Sequence, residues 1–253
     1  MKKSIERFSG RVDDYVKYRP AYPDGVLKLL QSQCGLDRGT TVADIGSGTG
    51  IFTQMLLQTG CRAFGVEPNR QMRAAAESLL GDQPGFTSVD GTAEQTGLAD
   101  HSVDLITAAQ AFHWFDRERT KIEFRRIARP GARLAVLWNT RLTVETPFLV
   151  AYERLLTRCA NDYRAVDHRN ITIEAIADFF APASFESASF RNSQRFNFQG
   201  LAGRLMSSSY APSESEARHA EMMEQLRRIF SEHQSAGKVE FLYRTVVYFG
   251  FIS

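Results

Sequence analysis

The residues of this chain that could do chemistry stand where apolar or extended runs end. The run Thr41-Val42-Ala43-Asp44-Ile45 carries an acid into three glycines spaced two apart, Gly46, Gly48 and Gly50, with Ser47 and Thr49 between them. Glycine reaches positive φ cheaply and lets another molecule approach the main chain, which is what a strand-to-helix nucleotide loop requires. The run Cys61 to Val66 ends in Glu67-Pro68, about 20 residues past the glycines, where a carboxylate can accept hydrogen bonds from a ribose diol. Pro68 bars further ladder pairing, and Asn69 is placed to cap a following helix. Phe86 to Val89 runs into Asp90-Gly91-Thr92-Ala93. There a carboxylate can accept from an exocyclic amino group while the next backbone amide donates to a ring nitrogen, or the Asp-Gly pair is an ordinary turn. Val103 to Ala109 ends in Gln110-Ala111-Phe112-His113-Trp114-Phe115, an aromatic cluster around one titratable ring.

Spacing decides which nucleotide such a loop could hold. A dinucleotide fingerprint would put its third glycine at Ile51, and Gly50 comes one residue early. A polyphosphate loop would need a Lys-Ser/Thr pair at the helix start, where the chain reads Ile51-Phe52-Thr53. The order Asp44-x-Gly46-x-Gly48-x-Gly50 instead resembles the first motif of class I S-adenosylmethionine-dependent methyltransferases, whose ligand carries a ribose and adenine but no phosphate. The resemblance implies S-adenosyl-L-methionine as cofactor, with Asp44, Gly46, Ser47 and Gly48 at the first motif. It places Glu67 and Pro68 at the ribose, Asp90, Thr92 and Ala93 at the adenine, and Gln110 at the end of the fourth run.

The fourth run lacks the Asn/Asp-Pro-Pro-aromatic motif of enzymes that methylate exocyclic amines of bases. Its Ala-Gln-Ala-Phe-His-Trp-Phe version resembles a small-molecule branch that includes trans-aconitate methyltransferase. Tyr15-Val16-Lys17-Tyr18-Arg19-Pro20-Ala21-Tyr22-Pro23 resembles the lead that this branch carries before its first helix. Together the resemblance covers about residues 8 to 139. Two prolines hold the lead extended, so that Arg19 offers a guanidinium fork to the methionine carboxylate, or the lead is a packing strap whose tyrosines fill gaps. The sulfonium is already an activated electrophile. A carboxylate acceptor would need no base, whereas a hydroxyl would benefit from His113 within hydrogen-bond reach. Otherwise His113 is a hydrogen-bonded structural ring. Trp114 either walls the acceptor pocket with Phe115 or packs in the core.

Charge narrows the partners. The chain has 31 basic and 29 acidic residues, a net +2, far from the basic excess of a nucleic-acid binder. The expectation is therefore a small-molecule substrate, with no nucleic acid and no membrane. Cys34, Cys61 and Cys159 are widely spaced with no C-x-x-C pair, so neither a disulfide framework nor a zinc site is expected. Met1 to Arg7 has no apolar core for a signal peptide, no run approaches a membrane span, and a cytoplasmic protein is expected. Two competing readings are an NAD(P)-dependent oxidoreductase, which shares a glycine loop and ribose acid, and a cofactor-binding protein without turnover.

The elements that must position these residues read as strands at 41–45, 61–66, 86–89, 103–108 and 132–138, alternating with helices at 50–59, 69–80 and 117–129. That alternation predicts a doubly wound α/β fold. Together with the resemblance it implies a mostly parallel, seven-stranded Rossmann-like sheet in a single domain, 1–253, with a cofactor-binding core at 30–139. Residues 239–251 have β composition and would supply the final, antiparallel strand. Residues 140–238 read as a helical substrate cap. Within it, Ser213-Glu214-Ser215-Glu216 predicts a capping box ahead of a core-facing helix. Phe190 to Tyr210 reads as a surface loop or as a cap presenting cations and hydroxyls.

Overall fold

The computed structural model describes residues 16–161, 163, 171–213 and 215–252. Tyr15 and the segment before it, read above as part of the lead, lie outside these described residues. Seven strands form one sheet in the order β3-β2-β1-β4-β5-β7-β6. β1 (Thr41–Ile45), β2 (Arg62–Val66), β3 (Phe86–Val89), β4 (Val103–Ala109) and β5 (Ala128–Arg141) run parallel. β7 (Val239–Phe251) and β6 (Phe185–Phe196) complete the sheet antiparallel. All five residues of β1 are buried, as expected of a central parallel strand covered on both faces.

The helices are α1 (Asp24–Cys34), α2 (Ile51–Leu57), α3 (Arg70–Leu80), α4 (Arg117–Ile127), α5 (Pro147–Cys159), α6 (Ile173–Phe180), α7 (Phe198–Met206) and α8 (Ala217–His233). Asn69 caps α3 as its position predicts, accepting from the amides of Gln71 and Met72 at 3.0 Å each. Met72, Ala76 and Leu80 recur one turn apart and are buried. That face lies over the glycine loop: a Cβ on Gly50 would stand 2.7 Å from Leu80 Cδ1, and Gly50 has φ +83°.

Three differences from the sequence reading have physical causes. Phe185–Phe196 is a strand in the sheet, and Phe198–Met206 is a helix, so Phe190 to Tyr210 is not a surface loop and 140–238 is not purely helical. β6 is an edge strand whose alternate residues are exposed, and its inward positions mix Phe190 and Phe196 with Asn192 and Gln194, so its composition looks like a loop. α4 stops at Ile127 and β5 begins at once, because Gly131 at φ +82° lets the chain turn within the strand that follows. Ser213 and Glu216 do bond, the Ser213 amide donating to Glu216 Oε1 at 2.7 Å, but this turn precedes the helix, whose N-cap is Glu216.

Two apolar clusters cover the faces of the parallel half, and a third joins α5, α7 and α8 to β7 through Leu156, Leu205, Leu226 and Phe241. The turn after β3 is fastened by one buried acid on α4. Glu123 accepts from the Thr96 amide at 2.8 Å and hydroxyl at 2.6 Å, and from Arg126 at 2.7 Å. The Arg126 hydrogen bond, helped by Thr96 and opposed by burial, holds the carboxyl down to about 2 from its ordinary 4.5. A depressed carboxyl stabilises the fold above its unfolded value, and that contribution is lost as pH falls toward 2. Glu123→Gln should therefore cost about 1.5 to 3 kcal/mol at pH 7 in urea unfolding. The gap to the wild type should close between pH 4.5 and 2.

Candidate functional site

The carboxyl ends of β1 and β4 open onto one cleft, and the glycine loop forms its floor. Gly46, Gly48 and Gly50 all have positive φ, +69°, +58° and +83°. A side chain on Gly46 would put its Cβ 2.5 Å from Ala111 Cβ, whereas Gly48 has only Met72 Sδ at 3.7 Å. Gly46 is thus required by packing, and Gly48 by its backbone conformation. The amides of Gly46 and Ser47 donate to the Val66 carbonyl at 2.8 and 3.2 Å, which pins the loop to the end of β2.

Glu67 fixes the next part of the loop. Its Oε2 accepts from the Gly48 amide at 2.9 Å and its Oε1 from the Asn69 amide at 2.8 Å. Burial raises its carboxyl, opposed by those two amide bonds and by the Arg73 charge. The residue as a whole is half-buried, and a carboxylate oxygen that accepts one bond has room for a second.

Arg73 is a site residue that the sequence reading missed. Its Nη1 donates to the Glu67 carbonyl at 2.8 Å, and its two Nη groups clasp Asp90 at 3.1 and 3.0 Å. It bridges the ends of β2 and β3 from the first turn of α3. The only signal was a cation six residues past Glu67 on a capped helix. Asp90 itself is exposed. Thr92 is half-buried and pairs with Gln95, while Ala93 is buried in the core beneath.

Asp44 is fully buried, and its oxygens accept from Thr53 at 2.6 Å and Thr107 at 2.8 Å. It sits at the base of the cleft and ties β1 to α2 and β4. Burial raises its carboxyl to about 6, against the pull of the two threonines. Gln110, at the end of β4, holds the left-handed φ of +60° that side chains rarely adopt. Its Nε2 donates to the Asn139 carbonyl at 3.2 Å.

Arg19, Pro20 and Tyr22 of the lead close the cleft against Ser47, Gly48 and Gln110. Arg19 Nη2 donates to the Ser207 carbonyl at 2.9 Å, and Tyr22 packs edge-on to Phe52 at 4.8 Å. The structure therefore brings Arg19, Asp44, Gly46, Ser47, Gly48 and Gln110 to one cleft, with Glu67 and Pro68 behind its loop. His113 and Trp114 form a short turn outside this lining. Trp138 Nε1 donates to His113 Nδ1 at 3.4 Å, and the His113 and Trp114 rings lie 4.6 Å apart.

Comparison with known proteins follows the same core. Residues 43–136 match a family described as a methyltransferase domain. An uncharacterized methyltransferase of Mycobacterium tuberculosis is 37% identical over 134 residues, 53% of this chain and 52% of the relative. The chain thus spans about half the length of the first curated relatives it matches. An uncharacterized methyltransferase of Schizosaccharomyces pombe is 27% identical over 95% of both chains. A solved structure assigned as a type II methyltransferase of Anaeromyxobacter dehalogenans superposes with a TM-score of 0.68 at 25% identity, covering 93% of this chain and 98% of the other.

An acid raised by burial disfavours its charged form, so the Asp44 penalty is complete above pH 6 and is relieved as pH falls through 6 toward 3.8. Asp44→Asn should melt no lower than the wild type at pH 7.5, and any advantage should vanish by about pH 4. A variant much less stable at pH 7.5 would show that the ionised carboxylate is itself required.

Proposed function

We propose that this chain, whose core is a methyltransferase domain of the S-adenosylmethionine-dependent class with that molecule as its cofactor, transfers the methyl group to a small-molecule acceptor bearing a carboxylate or hydroxyl. The observation that carries the reading is the Glu67 carboxylate, half-buried at the end of β2 and fastened to the glycine loop at Gly48. An acid there suits a ribose diol, and the loop has no lysine to meet a polyphosphate. A nicotinamide-dependent oxidoreductase would share that acid, and it is the early Gly50 and the methyltransferase-domain match that weigh against it.

When bound, the cofactor supplies an activated methyl group on a cationic sulfur. The chain's own residues then have to bind, align and exclude water, and such positioning can contribute about 7 to 11 kcal/mol. In this reading Gly46, Ser47 and Gly48 offer the close backbone approach, and Glu67 and Pro68 border the ribose. Asp90, Thr92 and Ala93 border the adenine, with Arg73 keeping Asp90 in place. Arg19 faces the carboxylate of the methionine portion, and the strained Gln110 lies between cofactor and acceptor.

His113 bears on the choice of acceptor. Its Nδ1 meets Trp138 Nε1 at 3.4 Å. A hydroxyl acceptor would call on this ring as a base, whereas an acceptor that arrives ionised would not. Trp114 is assigned as a wall of the acceptor pocket. The near-neutral charge disfavours nucleic acid. The three buried thiols suit a reducing compartment, here taken as the cytoplasm. The lead and the aromatic motif resemble those of the small-molecule branch that includes trans-aconitate methyltransferase.

Release of S-adenosylhomocysteine, measured over a panel of small carboxylates and alcohols, tests the proposal. Acceptor-dependent release is expected with a carboxylate. A cofactor that binds but never turns over with any acceptor would indicate a binding protein. Glu67→Gln should raise the cofactor Kd by one to two orders of magnitude, the loss of a charge-assisted contact of about 1.5 to 3 kcal/mol.

A further inference from the structure

Behind the cleft, the C-terminal half buries two guanidinium groups that cofactor binding does not use. Arg204, on α7, is 7% exposed. Its Nε donates to Tyr243 Oη at 3.3 Å and its Nη1 to Ser208 Oγ at 3.1 Å. Among the described residues these hydroxyls are its side-chain partners, and no carboxylate pairs with it. Arg141, at the end of β5, has a side chain 10% exposed. Its Nη2 donates to the Glu153 carboxylate and to Tyr163 Oη, the latter at 2.9 Å. Its Nη1 is buried and meets no acceptor among the described residues.

One aromatic cluster joins both arginines: Tyr152 packs on Phe241 at 4.8 Å, Phe241 lies 6.2 Å from Tyr243, and Tyr243 accepts from Arg204. The Arg141 guanidinium stands 5.0 Å over the Tyr152 ring. The half-buried Tyr163 and Tyr210 rings meet edge-on at 4.9 Å. Two hydrogen bonds tie this cluster's backbone to residues of the cofactor cleft. Arg19 lines the cleft and holds the carbonyl of Ser207, the residue before Ser208. Asn139, two residues before Arg141 on the same strand, receives Gln110.

Removing a guanidinium from water without a counter-charge is costly, and buried donors are normally paired. Glu153 cancels one of the two charges, which among the described residues leaves one positive charge and one buried N–H without a match. A single carboxylate supplies both the charge and the acceptor oxygens, and its plane fits a guanidinium fork. A phosphate dianion would overcompensate. Resting on the proposed function, we infer that Arg141 and Arg204 form the anion-binding half of the acceptor site and take one carboxylate of the methyl acceptor.

The test is calorimetry on the full chain with succinate and glutarate as probes, with and without S-adenosylhomocysteine, against dimethyl succinate and inorganic phosphate. The dicarboxylates should bind and the diester should not. Arg204→Gln and Arg141→Gln should each weaken dicarboxylate binding at least tenfold, Arg204→Lys should recover part of it, and affinity for S-adenosylhomocysteine should stay within twofold in all three. That last value also shows that the variants fold. The inference is overturned if no dicarboxylate binds, if the Gln variants bind as the wild type does, or if phosphate binds better. Retained dicarboxylate binding without S-adenosylhomocysteine binding would instead overturn the cofactor assignment and leave this anion site standing.

Discussion

A loop of left-handed glycines has no side chains with which to hold its own shape, so it must be held from outside. Here the Glu67 carboxylate does much of that, joining the Gly48 amide to the Asn69 amide at the start of α3. Two further amides of the loop go to the Val66 carbonyl, and Leu80 closes over Gly50. Each glycine surrenders more backbone freedom on folding than any other residue type. The cost is met only because β2, the loop and α3 form one unit. Arg73 extends that unit to β3 by grasping both the Glu67 carbonyl and Asp90. The positions of Glu67 and Asp90 thus depend on a few hydrogen bonds at the ends of β2 and β3.

A second polar centre joins this unit to the C-terminal half. Asn139 takes Gln110 on its carbonyl, accepts from Thr245 and Asn192 on its side-chain oxygen, and donates to the Ala21 carbonyl of the lead. Such a network is expensive when incomplete and rigid when satisfied. It explains how Gln110 can keep a left-handed backbone: its main-chain amide and its side chain are both held by β5. α7 is pressed onto the lead in the same region, for a Cβ on Gly203 would stand 2.0 Å from the Tyr18 ring. The glycine-loop cleft and the C-terminal half are therefore built from shared parts.

The parallel half of the sheet was legible in the sequence because its strands are buried on both faces and end in distinctive residues. The apolar run at Val42-Ala43 and the acid-glycine order after it required no tertiary information. The 239–251 strand was equally plain from its β-branched and aromatic composition. β6 was not, since an edge strand buries one face and its exposed residues carry the composition of a loop. Site residues on the glycine loop followed from local spacing. Arg73, Asn139, Arg141 and Arg204 did not, because each matters through partners 17 to 106 residues away. Asp44 was legible as a position, but not as an acid whose oxygens are held by two threonines.

The measurement that bears most directly on the central claim is calorimetric titration of the purified chain with S-adenosylmethionine, S-adenosylhomocysteine and NAD in parallel. The account predicts one-site binding of the first two and none of NAD. Ligand at about 100 times its Kd should then stabilise the fold by about 2.7 kcal/mol. Binding of NAD, with neither sulfur ligand bound, would contradict the assignment of the glycine loop and Glu67 to a ligand without phosphates.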